Sequence, residues 1–351
     1  MMIQIKNQLY FSYFIMWLML GIFVIVTLPA TYAEETFKEN QLFDQKIEDS
    51  QQSIPLPVKI GIFVNDLYDF NLRNQSYNVA FWLWFVYPVF SNYNPEKSSE
   101  VVNAYNYIKG DFFSASKKNN LYWSSMKFTG RITHQWKVAN FPFDSQKLQI
   151  IIEDMDLDSS KLQYVADKEN SKISPSIDLP DWKVTDFDLQ IEPFVYPTTY
   201  GDPDVRDGQR TYSRAIISIT LERKSTTKLL FNMFLALYVA FTLSALAFLV
   251  PTNNSASRLS LATGSVFAVV ANKYTSDTLL PLTTYITLVD KLQIATLIFI
   301  SISALISVIL IYLDNQHKTF AQSFNKISGI LFFITYVFLN IYWIYQARFF
   351  H

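Results

Sequence analysis

The four residues Phe141-Pro142-Phe143-Asp144, followed by Ser145-Gln146, combine a proline that fixes φ, two rings that can bury on either side of a bend, and a carboxylate that can accept hydrogen bonds or pair with a cation. Such a loop suits a contact surface between two domains, and it also reads as a satisfied turn between two strands. A second pattern lies further on: Ser260, Gly264, Phe267, Ala271, Tyr274 or Thr275, and Thr278 recur at steps of three and four, along one face of a helix. That face is less apolar than a lipid-facing one should be, although small and polar residues also let membrane helices pack closely. The run Glu153-Asp154-Met155-Asp156-Leu157-Asp158 offers hard oxygens of the kind calcium takes, and reads equally as a solvated acidic turn. Enzyme chemistry has little support, because His134, His317 and His351 are dispersed and there is no His-Glu-x-x-His, no Gly-x-Ser-x-Gly and no phosphate loop. No metal site and no cofactor is expected, beyond calcium as a modulator.

The elements that must position these residues fall into two halves. Of 351 residues, 50% are apolar and 17% charged, and the apolar ones concentrate in four windows at 229–250, 259–276, 292–313 and 327–346, each read as a membrane helix and the second the most polar. Alternating segments at 58–65, 78–87, 122–136, 146–154, 182–190 and 212–223 read as strands, with turn-rich breaks at Asn92-Tyr93-Asn94-Pro95 and Gly201-Asp202-Pro203-Asp204. The expected fold is a multidomain membrane protein, with an extracellular antiparallel β-sandwich of about ten strands, Ig-like, over 34–226. A transmembrane four-helix bundle over 227–351 follows it.

The first 33 residues carry Lys6, an apolar run over 9–28 and Thr31-Tyr32-Ala33, which reads as a signal peptide cleaved after Ala33 or as an uncleaved first membrane helix. Either way 34–228 lies outside the cytoplasm. Zero cysteines means no disulfide, so the exported half depends on its core and on oligomer contacts, which suits a bacterial periplasmic face. The expected location is the inner membrane, multi-pass, with both ends of the mature chain periplasmic. Arg258, Lys318 and Lys326 against Asp314 then place the connectors 251–258 and 314–326 in the cytoplasm, and Trp343, Tyr342, Tyr345 and Arg348 anchor the outer end of the last helix. A net charge of -1 and the lack of a basic run interleaved with aromatics give no case for nucleic acid.

This order of parts resembles the pentameric ligand-gated ion channels, or Cys-loop receptors, over essentially everything after the signal peptide. Phe-Pro-Phe-Asp stands midway between His134 and Leu148, where animal members have two cysteines, so the loop is kept without its disulfide, as in bacterial members. Trp82, Arg223 just before the first membrane helix, Arg258 opening the second, Leu280-Pro281 with Tyr285 after it, and a short third-to-fourth connector complete the match. The chain departs from the pattern at Leu235, where many members have proline, and in lacking Trp-x-Pro-Asp, for which Asn94-Pro95-Glu96 and Glu100-Val101-Val102-Asn103 are partial stand-ins. Asp154-Met155 stands where animal receptors place a key tryptophan.

The resemblance implies a homopentamer in which a ligand at periplasmic subunit interfaces opens a pore lined by the second membrane helix, passing monovalent cations. Ala256-Ser257-Arg258 has neither the glutamate that cation-conducting relatives place before the basic residue nor the Pro-Ala of anion-conducting ones, so an anion-selective channel is an alternative, and a non-conducting membrane-anchored sensor is another. Ser260 and Thr278 would solvate ions, and Phe267 would gate by dewetting above the space left by Gly264. Ala271, Tyr274 and Thr275 would line the upper pore, and a ring of Asp277 would concentrate cations. Phe141, Pro142, Phe143 and Asp144 would couple to Pro281 and Tyr285, with Asp144 paired to Arg223. The ligand would meet Tyr196, Tyr200 and Tyr212 around 201–209, Asn103, Tyr105 and Met155 on the same side, and Trp82 across the interface. Each of these aromatics also reads as strand packing. The implied partners are four identical subunits, membrane lipids and a small agonist, an amine or protons.

Overall fold

Strand-forming alternation builds two sheets in the computed structural model, which describes residues 54–117, 119–203 and 208–349. The signal-peptide reading of 1–33 lies outside the described residues. The first sheet holds β1 (Leu56–Asn71), β2 (Ser76–Pro88), β4 (Ala104–Lys117), β5 (Leu121–Thr133) and β7 (Leu162–Ala166) in the order β4-β5-β2-β1-β7, with the short β8 (Lys172–Ile173) also on β1. The second holds β3 (Ser99–Val101), β6 (Ser145–Asp154), β9 (Trp182–Tyr196) and β10 (Arg210–Arg223) in the order β3-β6-β10-β9. Alternate residues of both sheets are buried: Ile60, Ile62 and Val64 on β1, Phe81, Leu83 and Phe85 on β2, Leu148, Ile150 and Ile152 on β6, and Ile217, Ile219 and Leu221 on β10. Polar bridges tie the sheets together, with Tyr77 Oη donating to the Gln149 carbonyl at 2.9 Å and the Tyr164 amide to Ser213 Oγ at 2.9 Å.

The sheets depart from the expected sandwich in two ways. β1 pairs with β7 and β8 in parallel, because the chain crosses from β6 in the other sheet before returning, so the strands are not all antiparallel. β4 has no buried residue and no apolar alternation to reveal it, yet it pairs along β5 as a sheet edge.

Four long helices follow: α1 (Thr226–Leu246), α2 (Ser255–Leu279), α3 (Leu288–Gln316) and α4 (Lys318–Phe349). Among the described residues, three helical segments are long and apolar enough to cross a membrane, Thr226–Leu249, Leu288–Gln316 and Lys318–Phe349. The second of the four expected membrane segments falls short, because α2 carries Arg258, Asn272, Lys273 and Asp277 among its serines and threonines. The expected 314–326 connector shrinks to the cap His317, because the polar stretch from Lys318 continues as helix ahead of the apolar run. At its start α3 is stopped by a capping box, in which Thr287 and Asp290 each bond the other's backbone amide.

Candidate functional site

The Phe-Pro-Phe-Asp loop sits where the sheets meet the helices. Asp144 accepts from Arg223 Nε at 2.7 Å and Nη2 at 3.3 Å, and from Gln146 Nε2 at 2.7 Å. Both members of the pair are almost fully buried, their side chains 2% and 7% exposed. The guanidinium also lies over two rings, 4.1 Å from Trp182 and 4.6 Å from Phe141. Phe141 and Pro142 are buried and Phe143 is half-buried.

Just before the loop, the Ala139 carbonyl accepts from the Leu288 amide of α3 at 2.8 Å, and the Val138 amide donates to Tyr285 Oη at 3.4 Å. Pro281 is buried in the same α2–α3 connector and, with Tyr285, lines a cavity of about 390 Å³. A third contact had no sequence signal: Arg73, in the β1–β2 turn, donates to the Asp277 carbonyl at 2.8 Å, at the negative end of the α2 dipole. His134 stands at the edge of the Trp136 ring, 4.7 Å between centroids, while Leu148 is fully buried on β6.

Helix α2 has two unlike faces. Arg258, Ala262, Ser265, Val269, Asn272 and Ser276 are buried against the chain's own helices at steps of four and three. Ser260, Gly264, Phe267, Ala271, Tyr274, Thr275, Asp277 and Thr278 are all exposed, Phe267 at 72% and Tyr274 at 74%. The buried face is held by hydrogen bonds: Asn272 Nδ2 reaches the Met233 carbonyl at 2.6 Å, and Gln293 Nε2 donates to Asn272 Oδ1 at 3.1 Å and Ser276 Oγ at 2.8 Å. At the other end the buried Arg258 bonds Ser307 Oγ at 3.3 Å, the Val250 carbonyl at 2.9 Å and Asn325 Oδ1 at 2.8 Å, all neutral acceptors. Asp277 is exposed as a helix-end carboxylate and is shared with Lys273 one turn before it, which bridges Asp277 at 2.9 Å and Asp290 at 3.3 Å.

The β9–β10 hairpin gathers three of the expected ligand residues. Tyr196 has Tyr200 and Tyr212 each at 5.7 Å, and Phe194, which is not among the residues expected from sequence, at 4.7 Å. Tyr200 takes a positive φ of 56° ahead of Gly201 and is 64% exposed. Tyr196 Oη donates to Glu153 Oε2 at 2.8 Å, and burial, then the Glu153 carboxylate, push its pKa up to about 12. Arg214 pairs with Glu153, donates from Nη2 to Tyr196 Oη at 3.0 Å, and lies 3.4 Å over the Phe194 ring. The signal for both missed residues was period two: Phe194 shares a face with Tyr196, and Arg214 with Tyr212.

The other expected ligand residues lie apart from this cluster. Trp82 is on β2 of the other sheet, and its ring partner is Phe113 at 6.4 Å. The Asn103 amide is engaged by the backbone of β6, giving to the Gln149 carbonyl at 2.8 Å and taking from the Ile151 amide at 3.0 Å. Tyr105 and Met155 are exposed. The acidic run does not converge, since Glu153 faces Arg214, Asp154 takes the Ser98 hydroxyl at 2.6 Å and the Asp156 and Leu157 amides, and Asp158 takes the Ser160 amide. Among the described residues no group of three or more His, Asp or Glu is placed to hold a metal ion. No family model matches the chain, and no curated protein matches it.

Proposed function

We propose that the chain is one subunit of a homopentameric ligand-gated ion channel, a β-sandwich over a four-helix transmembrane bundle, with α2 as the pore helix. The observation that carries this reading is the pair of faces on α2. One face is fully partnered within the chain, while the other is exposed and holds Ser260, Thr275, Asp277 and Thr278, which lipid would penalise. Copies of α2 around an axis give that face water and each other. A helix of 25 residues is about 37 Å long at 1.5 Å per residue, enough to cross the bilayer core once its polar face is removed from lipid.

In the assembled pore Phe267 and Tyr274 stand two turns apart, about 10 Å, with Ala271 between them, so a ring of Phe267 can exclude water until α2 moves, below a ring of Tyr274 that carries hydroxyls. The ligand acts at the hairpin with Tyr196, Tyr200 and Tyr212, on the periplasmic side of the inner membrane. Its effect reaches α2 through the Asp144–Arg223 pair, the Ala139–Leu288 and Val138–Tyr285 bonds, and Arg73 on the last turn of α2. Because Lys273 neutralises part of the Asp277 ring, the pore selects cations weakly.

The chain has no cysteine, so Ser260→Cys gives a single reactive thiol. Currents recorded while pH, calcium and small ligands are varied should be blocked by a thiol reagent in Ser260→Cys and not in the parent. A purified protein that is not pentameric, or pentamers that pass no current, would favour the membrane-anchored sensor instead.

A further inference from the structure

We propose that the aromatic cage of the β9–β10 hairpin already holds its cation, the chain's own Arg214, so that the hairpin does not take a free amine. This deepens the reading of the hairpin as the ligand site and rests on it. The guanidinium carbon of Arg214 is 3.4 Å above Phe194 and 5.8 Å from Tyr196, within the range where a cation meets a ring face. Its charge is matched by Glu153 rather than by solvent, with the two side chains 10% and 2% exposed.

Three consequences shut out a second cation. The Phe194 face is covered. The Glu153 carboxylate is engaged on both oxygens, Oε1 by Arg214 Nε and Oε2 by the Tyr196 hydroxyl. An ammonium brought to the same rings would meet the guanidinium as a like charge in a poorly solvated place. The cage is not sealed, however: Phe194 is 38% exposed, so a small cation could enter if Arg214 were gone. What an arriving ligand meets first is the exposed Tyr200 ring and Arg210, which pairs with Asp202 and reaches the Tyr212 hydroxyl at 3.5 Å.

The experiment is binding to the purified full chain, followed by thermal unfolding and by tyrosine fluorescence, with guanidinium, tetramethylammonium and propylamine exchanged for sodium at constant ionic strength. The wild type should show no saturable response to any of the three. Arg214→Ala should gain saturable guanidinium binding, which the wild type lacks over the same concentration range. Arg214→Ala with Glu153→Gln leaves no unpaired charge and covers the case in which the single variant does not fold. It should bind tetramethylammonium through the bared rings.

Saturable amine binding by the wild type, weakened by Phe194→Leu, overturns the proposal. So does a folded Arg214→Ala or double variant that gains no cation. Binding is read without current, so a wild type that binds amines leaves the channel reading standing. A protein that conducts nothing leaves the filled cage standing.

Discussion

Arg223 and Arg258 are both buried guanidiniums, one where the sheets meet the helices and one inside the helices, and they are held in opposite ways. Arg223 faces a carboxylate, with two bonds to Asp144 and two rings around it. Arg258 faces neutral dipoles, one carbonyl, one hydroxyl and one amide oxygen drawn from three parts of the helical half. An opposite charge across a boundary keeps two bodies in register and can be broken by moving either. Dipoles gathered around a cation act as a fixed anchor, here fastening the start of α2 to α3 and α4. In the proposed channel the boundary pair would be the one to transmit movement, and the inner one to resist it.

The largest expected effect separates the two sites directly. Arg223→Met strands Asp144 with Gln146 as its one remaining donor among the described residues and should cost about 3–5 kcal/mol, whereas Arg258→Met leaves no charge behind and should cost about 1–2 kcal/mol. Equal losses in unfolding of the solubilised protein would erase the distinction. At the boundary, Asp144→Arg should abolish gating, and adding Arg223→Asp should recover part of it. A double variant as dead as the single one would mean that the pair does not act directly.

Next in size is Asn325→Leu, which removes both an acceptor from Arg258 and the donor that Asn325 Nδ2 offers to the Phe248 carbonyl. It should cost about 1.5–3 kcal/mol, more than deleting Arg258 itself, because the charge stays behind with fewer partners. A smaller cost than that of Arg258→Met would break the anchor argument.

The Arg223 side also has a titrating neighbour. Burial lowers the His134 pKa, the neighbouring Gln146 side chain opposes this and Lys137 adds to it, and Gln146 in turn donates to Asp144. The unfolded chain therefore takes up this proton first. Stability should fall as pH drops from the ordinary histidine value to the lowered one, and His134 contributes no slope above that window. His134→Gln should flatten that part of the stability profile, and an unchanged slope would show that His134 is not the group that titrates there. The smallest effect is expected at the half-exposed outer end of α2. Lys273→Gln frees Asp277 and should move the reversal potential towards cations by less than about 1 kcal/mol of relative permeability, with no loss of stability beyond that. A move towards anions would show that Lys273 does not mask Asp277.

Periodicity makes much of this molecule legible in its sequence. Six strands, four helices and the exposed face of α2 are all statements about which residues share a face, and a face follows from local backbone geometry. β4 stays hidden because an edge strand with no buried side need not alternate, and its residues Tyr105, Ile108 and Phe113 lie exposed. The start of α4 stays hidden because a polar helix and a polar loop have similar composition. Asp144 and Arg223 can be matched in advance only through the resemblance, which places the loop and the end of the last strand at one junction.

Taken alone, the sequence determined the order of the two halves, the lack of any disulfide, the bend at Phe141-Pro142 and the uncommon polarity of one face of α2. Only the tertiary structure decided what each of those faces meets. Lys273 masking Asp277, Arg73 reaching the end of α2 across 204 positions of chain, and Arg214 filling the aromatic cage beside Glu153, 61 positions away, are contacts that the packing creates. Spacing along a chain fixes the direction of a side chain relative to its neighbours in the same element. Which side chain waits opposite is set by how the sheets and helices pack.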